Sequence, residues 1–142
     1  MPSPCICTNL RQAAQASTAY YDAALAPSGL RVTMFRLLRR IGEVPGISIT
    51  DLAQVVDLDR STLGRNLRVL ERLQLVRVST GQDERARAIR LTEDGEHALN
   101  VALPLWQDAQ AQLGRELGAD LDQLLKSLTR IAQLQGGNAH VG

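Results

Sequence analysis

Histidine and lysine are scarce in this chain of 142 residues, and cysteine is confined to its first few positions. The two histidines, His97 and His140, stand far apart and neither sits in a catalytic signature. With no visible nucleophile–base pair, the sequence argues against an enzyme. Cys5 and Cys7 are two positions apart. They make no disulfide framework, and a bridge between such near neighbours would be strained. No run approaches the roughly 18 apolar residues of a membrane span. No charged-then-apolar leader is visible either, so the expectation is a cytoplasmic protein with no membrane partner. There is no internal repeat, and no low-complexity tract beyond a glycine-rich end, Gly136 to Gly142. No cofactor is expected. Cys-x-Cys is the one soft-metal candidate, but no histidine or acid lies nearby to complete a set, so no metal site is assigned.

Net charge is also nearly absent, at +1. The bulk figure gives no reason to invoke nucleic acid; only the distribution does. From Arg60 to Arg90 there are eight arginines against Glu71, Asp83 and Glu84, a local balance of +5 that leaves the rest of the chain at −4. One third of the sequence thus carries the electrostatic footprint of a nucleic-acid partner. Lys126 is the only lysine among sixteen basic residues. Arginine offers a planar fork for phosphates and guanine edges, although genome base composition also shifts this ratio. The remaining composition, 44% apolar and 22% charged, is that of an ordinary globular domain.

Periodicity lays out the elements. Residues 1–7 should be extended. A helix follows from about Thr8 to Leu25, with Arg11 and Asp22 as its only charges. A helix so poor in charge should be buried on more than one side, part of it against a second subunit. A second helix is expected over Val32–Glu43, with Phe35, Leu38 and Ile41 inward. Pro45 and Gly46 break it. Ser48 and Asp51 form a capping box for a short helix through Val56. Asp57-Leu58-Asp59 is a turn, and Asp59 caps the next helix, about Arg60 to Leu73. There Leu63, Leu67 and Leu70 fall within about 60° of one another, and Ser61, Arg65, Arg68 and Arg72 within about 60° on the opposite side. A solvated arginine face is common on surface helices. The short helix and tight turn before it favour a DNA-reading helix instead.

Residues 75–78 and 88–91 alternate like two strands. The hairpin between them carries Arg85 and Arg87, a narrow cationic ribbon of the kind that fits a minor groove. Asp83 should brace its shape. Thr92 starts a long helix, which Pro104 should bend. Leu99, Leu103, Trp106, Ala109, Leu113 and Leu117 form its stripe. A final helix carries Leu121, Leu124, Leu125, Leu128, Ile131 and Leu134. The fold class is therefore mainly α with a small β-hairpin wing. It is one domain over residues 1–142. Residues 31–95 form a winged helix-turn-helix lobe. Residues 1–30 and 96–136 supply a dimerisation platform, and 137–142 a flexible tail.

The segment DLAQVVDLDRSTLGRNLRVLERLQLVRVSTGQDERARAIRLTEDG resembles the multiple antibiotic resistance regulator (MarR) family. It carries the LA, D-R-S-T, L-x-x-L, D-x-R and L-T-x-x-G landmarks in order and at the expected spacing. YDAALAPSGL is similar to the family's junction between first and second helices. Two positions depart from the pattern: Arg31 stands where a capping threonine is common, and Gln74 where a glycine often ends the recognition helix. The resemblance implies a homodimer on near-palindromic double-stranded DNA, usually a repressor. It places Ser61, Thr62, Arg65 and Arg68 at the major groove and Arg85 in the minor groove, with Asp83 bracing it. Arg72 and Arg87 extend the same surface. Two recognition helices should meet successive major grooves about 34 Å apart.

Two triggers for release from DNA remain open. Tyr20, Tyr21, Phe35, Arg39 and Trp106 are candidates for an effector pocket suited to a small aromatic carboxylate; as apolar residues they also suit ordinary core or interface. Cys5 and Cys7 occupy the place where some family branches sense thiol-reactive species, and a helix N-terminus favours thiolate. The competing reading is a winged helix that binds protein and has no salt-dependent affinity for duplex DNA.

Overall fold

The computed structural model describes residues 1–79 and 87–138. Six helices and three short strands follow one another: α1 (Ile6–Leu25), α2 (Val32–Glu43), β1 (Ile47–Ser48), α3 (Ile49–Val56), α4 (Arg60–Arg72), β2 (Val76–Val78), β3 (Ala88–Leu91), α5 (Glu93–Leu117) and α6 (Asp120–Asn138). The chain divides into two compact units, Met1–Trp106 and Gln107–Gly142, with α5 beginning in the first and ending in the second.

The first unit holds the core. Phe35, Leu38 and Ile41 from α2 are buried with Leu52 and Val56 from α3, Leu63, Leu67 and Leu70 from α4, and Val76 and Ile89 from the strands. These are the apolar stripes that the 3.6-residue and two-residue periods set out. Each fully buried leucine contributes about 1.5–3 kcal/mol. The sheet is antiparallel in the order β1-β3-β2. β1 was not foreseen. Its two residues pair Ile47 with Ile89 and Ser48 with Ala88. Gly46, at φ +86°, makes the turn into it and donates its N–H to the Ile89 carbonyl at 3.0 Å.

Helix ends follow local chemistry. Ser48 accepts the Asp51 N–H at 3.1 Å to start α3. At α2, Arg31 occupies the cap position but its side chain does not cap. The job falls to Asp22 of α1, whose carboxylate accepts the Val32 N–H at 2.8 Å. One of the two charges on α1 is thus accounted for.

Some expectations change. α1 begins at Ile6, so Cys7 lies in its first turn. Within one chain α1 is not covered: Leu25 is its single buried residue. α5 runs through Pro104 as one helix. α6 leaves Leu124, Leu125, Leu128 and Leu134 between 38% and 68% exposed. Among the described residues, no helix is long and apolar enough to cross a membrane.

Candidate nucleic-acid interface

The site is built on α4. Asp59 holds its first turn: Oδ1 accepts the Thr62 N–H at 2.8 Å and the Ser61 hydroxyl at 2.7 Å, and Oδ2 accepts the Thr62 hydroxyl at 3.0 Å. Hydrogen bonds from the Ser61 hydroxyl, then from the Thr62 N–H and hydroxyl, with Arg65 nearby, lower the Asp59 pKa from 3.8 to about 2. The Thr62 oxygen in turn accepts from an Arg65 Nη2 at 3.3 Å. Arg65 is thereby steered by the cap of its own helix.

Ser61, Arg65, Arg68 and Arg72 are all exposed, and Leu63, Leu67 and Leu70 on the opposite side are buried. Arg65 to Arg72 spans about 10 Å along the axis at 1.5 Å per residue, about three base-pair steps at 3.4 Å each. Among the described residues, the salt bridges join Arg39 and Arg40 to Glu43 and Lys126 to Asp122; none involves α4. Among the described residues, no acid forms a salt bridge with these cations.

Beside α4, toward the strands, lies a cleft of about 300 Å³ lined by Arg60, Ser61, Gly64, Arg68, Glu71 and Arg87, with Ile49, Leu67 and Val78 as apolar wall. The Arg87 side of the hairpin thus meets the reading helix. Arg85 and Asp83 lie outside the described residues. Arg60 falls on the edge of the apolar arc in a helical projection, so periodicity gave no reason to single it out.

The exit of α4 falls at Gln74, the position where the family pattern often has glycine. Gln74 takes a left-handed conformation at φ +61°. The Gln74 N–H donates to the Glu71 carbonyl and the Leu75 N–H to the Leu70 carbonyl, both at 2.9 Å. This paired closure is one that glycine ordinarily serves. The Thr92 hydroxyl then donates to the Gln74 carbonyl at 2.6 Å and accepts the Gly95 N–H at 3.0 Å. The Thr92 N–H donates to the Leu75 carbonyl at 3.0 Å. A Cβ on Gly95 would collide with that same carbonyl. The L-T-x-x-G landmark is therefore a clasp joining the end of α4 to the start of α5.

Of the five candidate effector-pocket residues, three come together. Phe35 and Trp106 have ring centroids 5.7 Å apart, and the Arg39 Cζ lies 4.5 Å from the Trp106 centroid. They line a cleft of about 280 Å³ with Arg36, Arg40, Val55 and Val56. Tyr20 and Tyr21 are not part of its lining. They meet each other edge to face at 5.6 Å, on α1 rather than on the α2 and α3 walls. Burial, and then Tyr20 beside it, raises the Tyr21 pKa.

Cys5 and Cys7 are both exposed and free. The Cys5 N–H donates to the Ser3 hydroxyl at 3.1 Å, and the Asn9 amide donates to the Ser3 and Cys5 carbonyls at 2.7 and 2.9 Å. These bonds tie the arm to the first turn of α1. Hydrogen bonds from the Thr8 hydroxyl, and then from its backbone N–H, hold the Cys5 thiol below its ordinary pKa. Among the described residues, no cluster of three metal-ligating side chains occurs.

A short helix, a tight turn, a second helix with an outward row of exposed arginines, and a β-ribbon at its flank define a winged-helix DNA-binding domain. A model of the MarR family matches residues 28–86. The transcriptional regulator HosA of Escherichia coli is 30% identical over 122 residues, covering 85% of this chain and 89% of the relative. The chain belongs to the MarR family, and so is a transcriptional regulator rather than an enzyme. The M. tuberculosis transcriptional regulator MosR, solved in complex with DNA, is 37% identical with a TM-score of 0.83, over 94% of this chain and 97% of that one. The transcriptional repressor CouR, bound to a 23-mer DNA duplex, is 26% identical with a TM-score of 0.78, over 90% and 92%.

Proposed function

We propose that this regulator works as a homodimeric repressor on near-palindromic operator DNA and is released by a small ligand or by thiol oxidation. The observation that carries the DNA contact is the outward row Ser61, Arg65, Arg68 and Arg72, exposed and free of salt bridges among the described residues. Phosphate contacts position the helix, Arg65, braced by Thr62, reads base edges, and Arg68 lies beside it at the major groove. Arg72 and Arg87 add backbone contacts, and Arg85, braced by Asp83, enters the minor groove. Both neighbours named above were solved with DNA, and CouR is a transcriptional repressor.

Dimerisation is supported by the two chain ends taken separately. α1 leaves Ile6 72% exposed and buries only Leu25. α6 exposes four leucines. Surfaces of this kind ordinarily mark an interface.

For release, the cleft holding Phe35, Arg39 and Trp106 has an aromatic wall and three guanidinium groups, from Arg36, Arg39 and Arg40, the last two also paired with Glu43. That chemistry suits an aromatic carboxylate. CouR has been solved with p-coumaroyl-CoA, an aromatic acyl conjugate. The thiol route rests on the exposed Cys5 with its lowered pKa, beside the exposed Cys7. Either signal acts only through unequal affinity for the DNA-competent and incompetent states.

The test is binding to a footprinted operator and to a scrambled duplex at fixed salt. Arg65→Ala is expected to cost about 1–3 kcal/mol on the operator and little on the scrambled duplex. Equal affinity of parent and variant for both duplexes would refute the role of Arg65. A wild-type affinity independent of salt would instead favour a protein-binding winged helix.

A further inference from the structure

We propose that the cleft between α4 and the strands seats one phosphodiester of the DNA backbone, and that Arg60 is one of its three ligands. This rests on the DNA-binding reading and adds a residue and a ligand to it. Arg60 opens α4, and its Nη2 donates to the Thr50 hydroxyl on α3 at 2.7 Å. The guanidinium, which lines the cleft, is thereby anchored through one N–H, and among the described residues no salt bridge engages it. Arg68 enters from the helix itself: its Nη2 lies 3.9 Å from where a Cβ on Gly64 would stand. That is an ordinary contact distance, so the Arg68 guanidinium lies back along the helix beside Gly64. Arg87 arrives from the strand side.

The donor set decides the ligand. The Ser61 proton is already given to Asp59. What remains in the cleft is arginine N–H groups, so the occupant must accept hydrogen bonds and carry negative charge. Three cations face one acid, Glu71. Ile49, Leu67 and Val78 form the apolar wall, where charge–charge attraction is screened less than in open water. A phosphate oxygen pair fits this chemistry; a guanine edge also offers two acceptors but carries no negative charge to set against three cations. The cleft also adjoins the arginine row that faces the groove, which favours a backbone phosphate of the bound duplex over a free anion.

The experiment is ethylation interference on the operator, with a salt titration in parallel. Arg60→Ala is expected to erase interference at one phosphate per half-site. It should lower affinity for operator and scrambled duplex alike, by on the order of tenfold, and make the log–log salt slope shallower by about one per half-site. Arg60→Lys keeps the charge and should keep the slope. Thr50→Val removes only the acceptor and should leave interference at that phosphate in place. A merely structural Arg60–Thr50 link predicts that Thr50→Val and Arg60→Ala behave alike, which would overturn the proposal. An unchanged interference map in Arg60→Ala would overturn it too. So would displacement of the wild-type complex by inorganic phosphate, at constant ionic strength, that Arg60→Ala abolishes; the cleft would then be a free-anion site. Failure of the wild type to bind any duplex would sink the DNA reading itself, a separate outcome.

Discussion

Gly95→Ala tests the clasp between α4 and α5. The added methyl would collide with the Leu75 carbonyl oxygen, a backbone atom that cannot rotate aside as a side chain does. That oxygen already accepts the Thr92 N–H at 3.0 Å, and Thr92 in turn bonds the Gln74 carbonyl and the Gly95 N–H. Relief requires the start of α5 to move from the end of α4. Overpacking of this kind costs about 1–3 kcal/mol. Loss of one or two clasp hydrogen bonds adds about 1 kcal/mol each. The expected total is about 2–4 kcal/mol, a large share of the roughly 5–15 kcal/mol that holds a domain together. The assay is urea unfolding at one fixed protein concentration, because an oligomer's midpoint depends on concentration. The midpoint should fall with the slope unchanged. Gly114→Ala is the control: its Cβ would sit 3.6 Å from the Leu121 Cδ2, an ordinary contact. Helix propensity predicts a neutral effect or a gain of up to about 1 kcal/mol there. A Gly95→Ala loss under about 0.5 kcal/mol would refute the reasoning, since it would mean the backbone yields freely at that corner.

Gln74→Gly should raise stability by about 0.5–1 kcal/mol in the same assay, because a left-handed non-glycine residue is strained; a loss would show that the Gln74 side chain matters more than its backbone. Asp59 has a folded pKa below its ordinary 3.8, at about 2. Its carboxylate bonds therefore favour the folded state fully above about pH 4, and that contribution is lost as pH falls toward 2. The urea-midpoint gap between wild type and Asp59→Ala should hold constant from neutral pH to about 4 and close below it; a gap that persists at pH 2 contradicts the linkage. Thr8→Val, in a Cys7→Ser background, should move the pH profile of Cys5 alkylation to higher pH, because the Thr8 hydroxyl is the largest cause of the lowered thiol pKa. An unmoved profile removes Thr8 from the account.

What the sequence disclosed was whatever repeats at short period. Leu63, Leu67 and Leu70 against Ser61, Arg65, Arg68 and Arg72 told the buried side of α4 from its exposed cationic side, since burial and charge alternate with the helical turn. Asp59 and Ser48 were legible as caps because their acceptors act three residues away. Contacts made across the fold were not legible. β1 has two residues and pairs with a strand some forty positions on, so it shows no alternation of its own. Asp22 caps a helix ten residues later, beyond any local capping motif. The positive φ of Gln74 leaves no trace in a residue type that rarely adopts it. Tyr20 and Tyr21 were grouped with Trp106 on side-chain chemistry alone, and only the packing of α2 against α3 shows which aromatics share a cleft.

The clasp has a mechanical consequence. Because three hydrogen bonds through Thr92 tie the end of the reading helix to the base of a 25-residue rod, α4 is not free to swivel by itself. A tilt applied to the stretch of α5 from Glu93 to Trp106, about 20 Å long at 1.5 Å per residue, works as a lever on the arginine row. The corner at Gln74 and Gly95 is its rigid elbow.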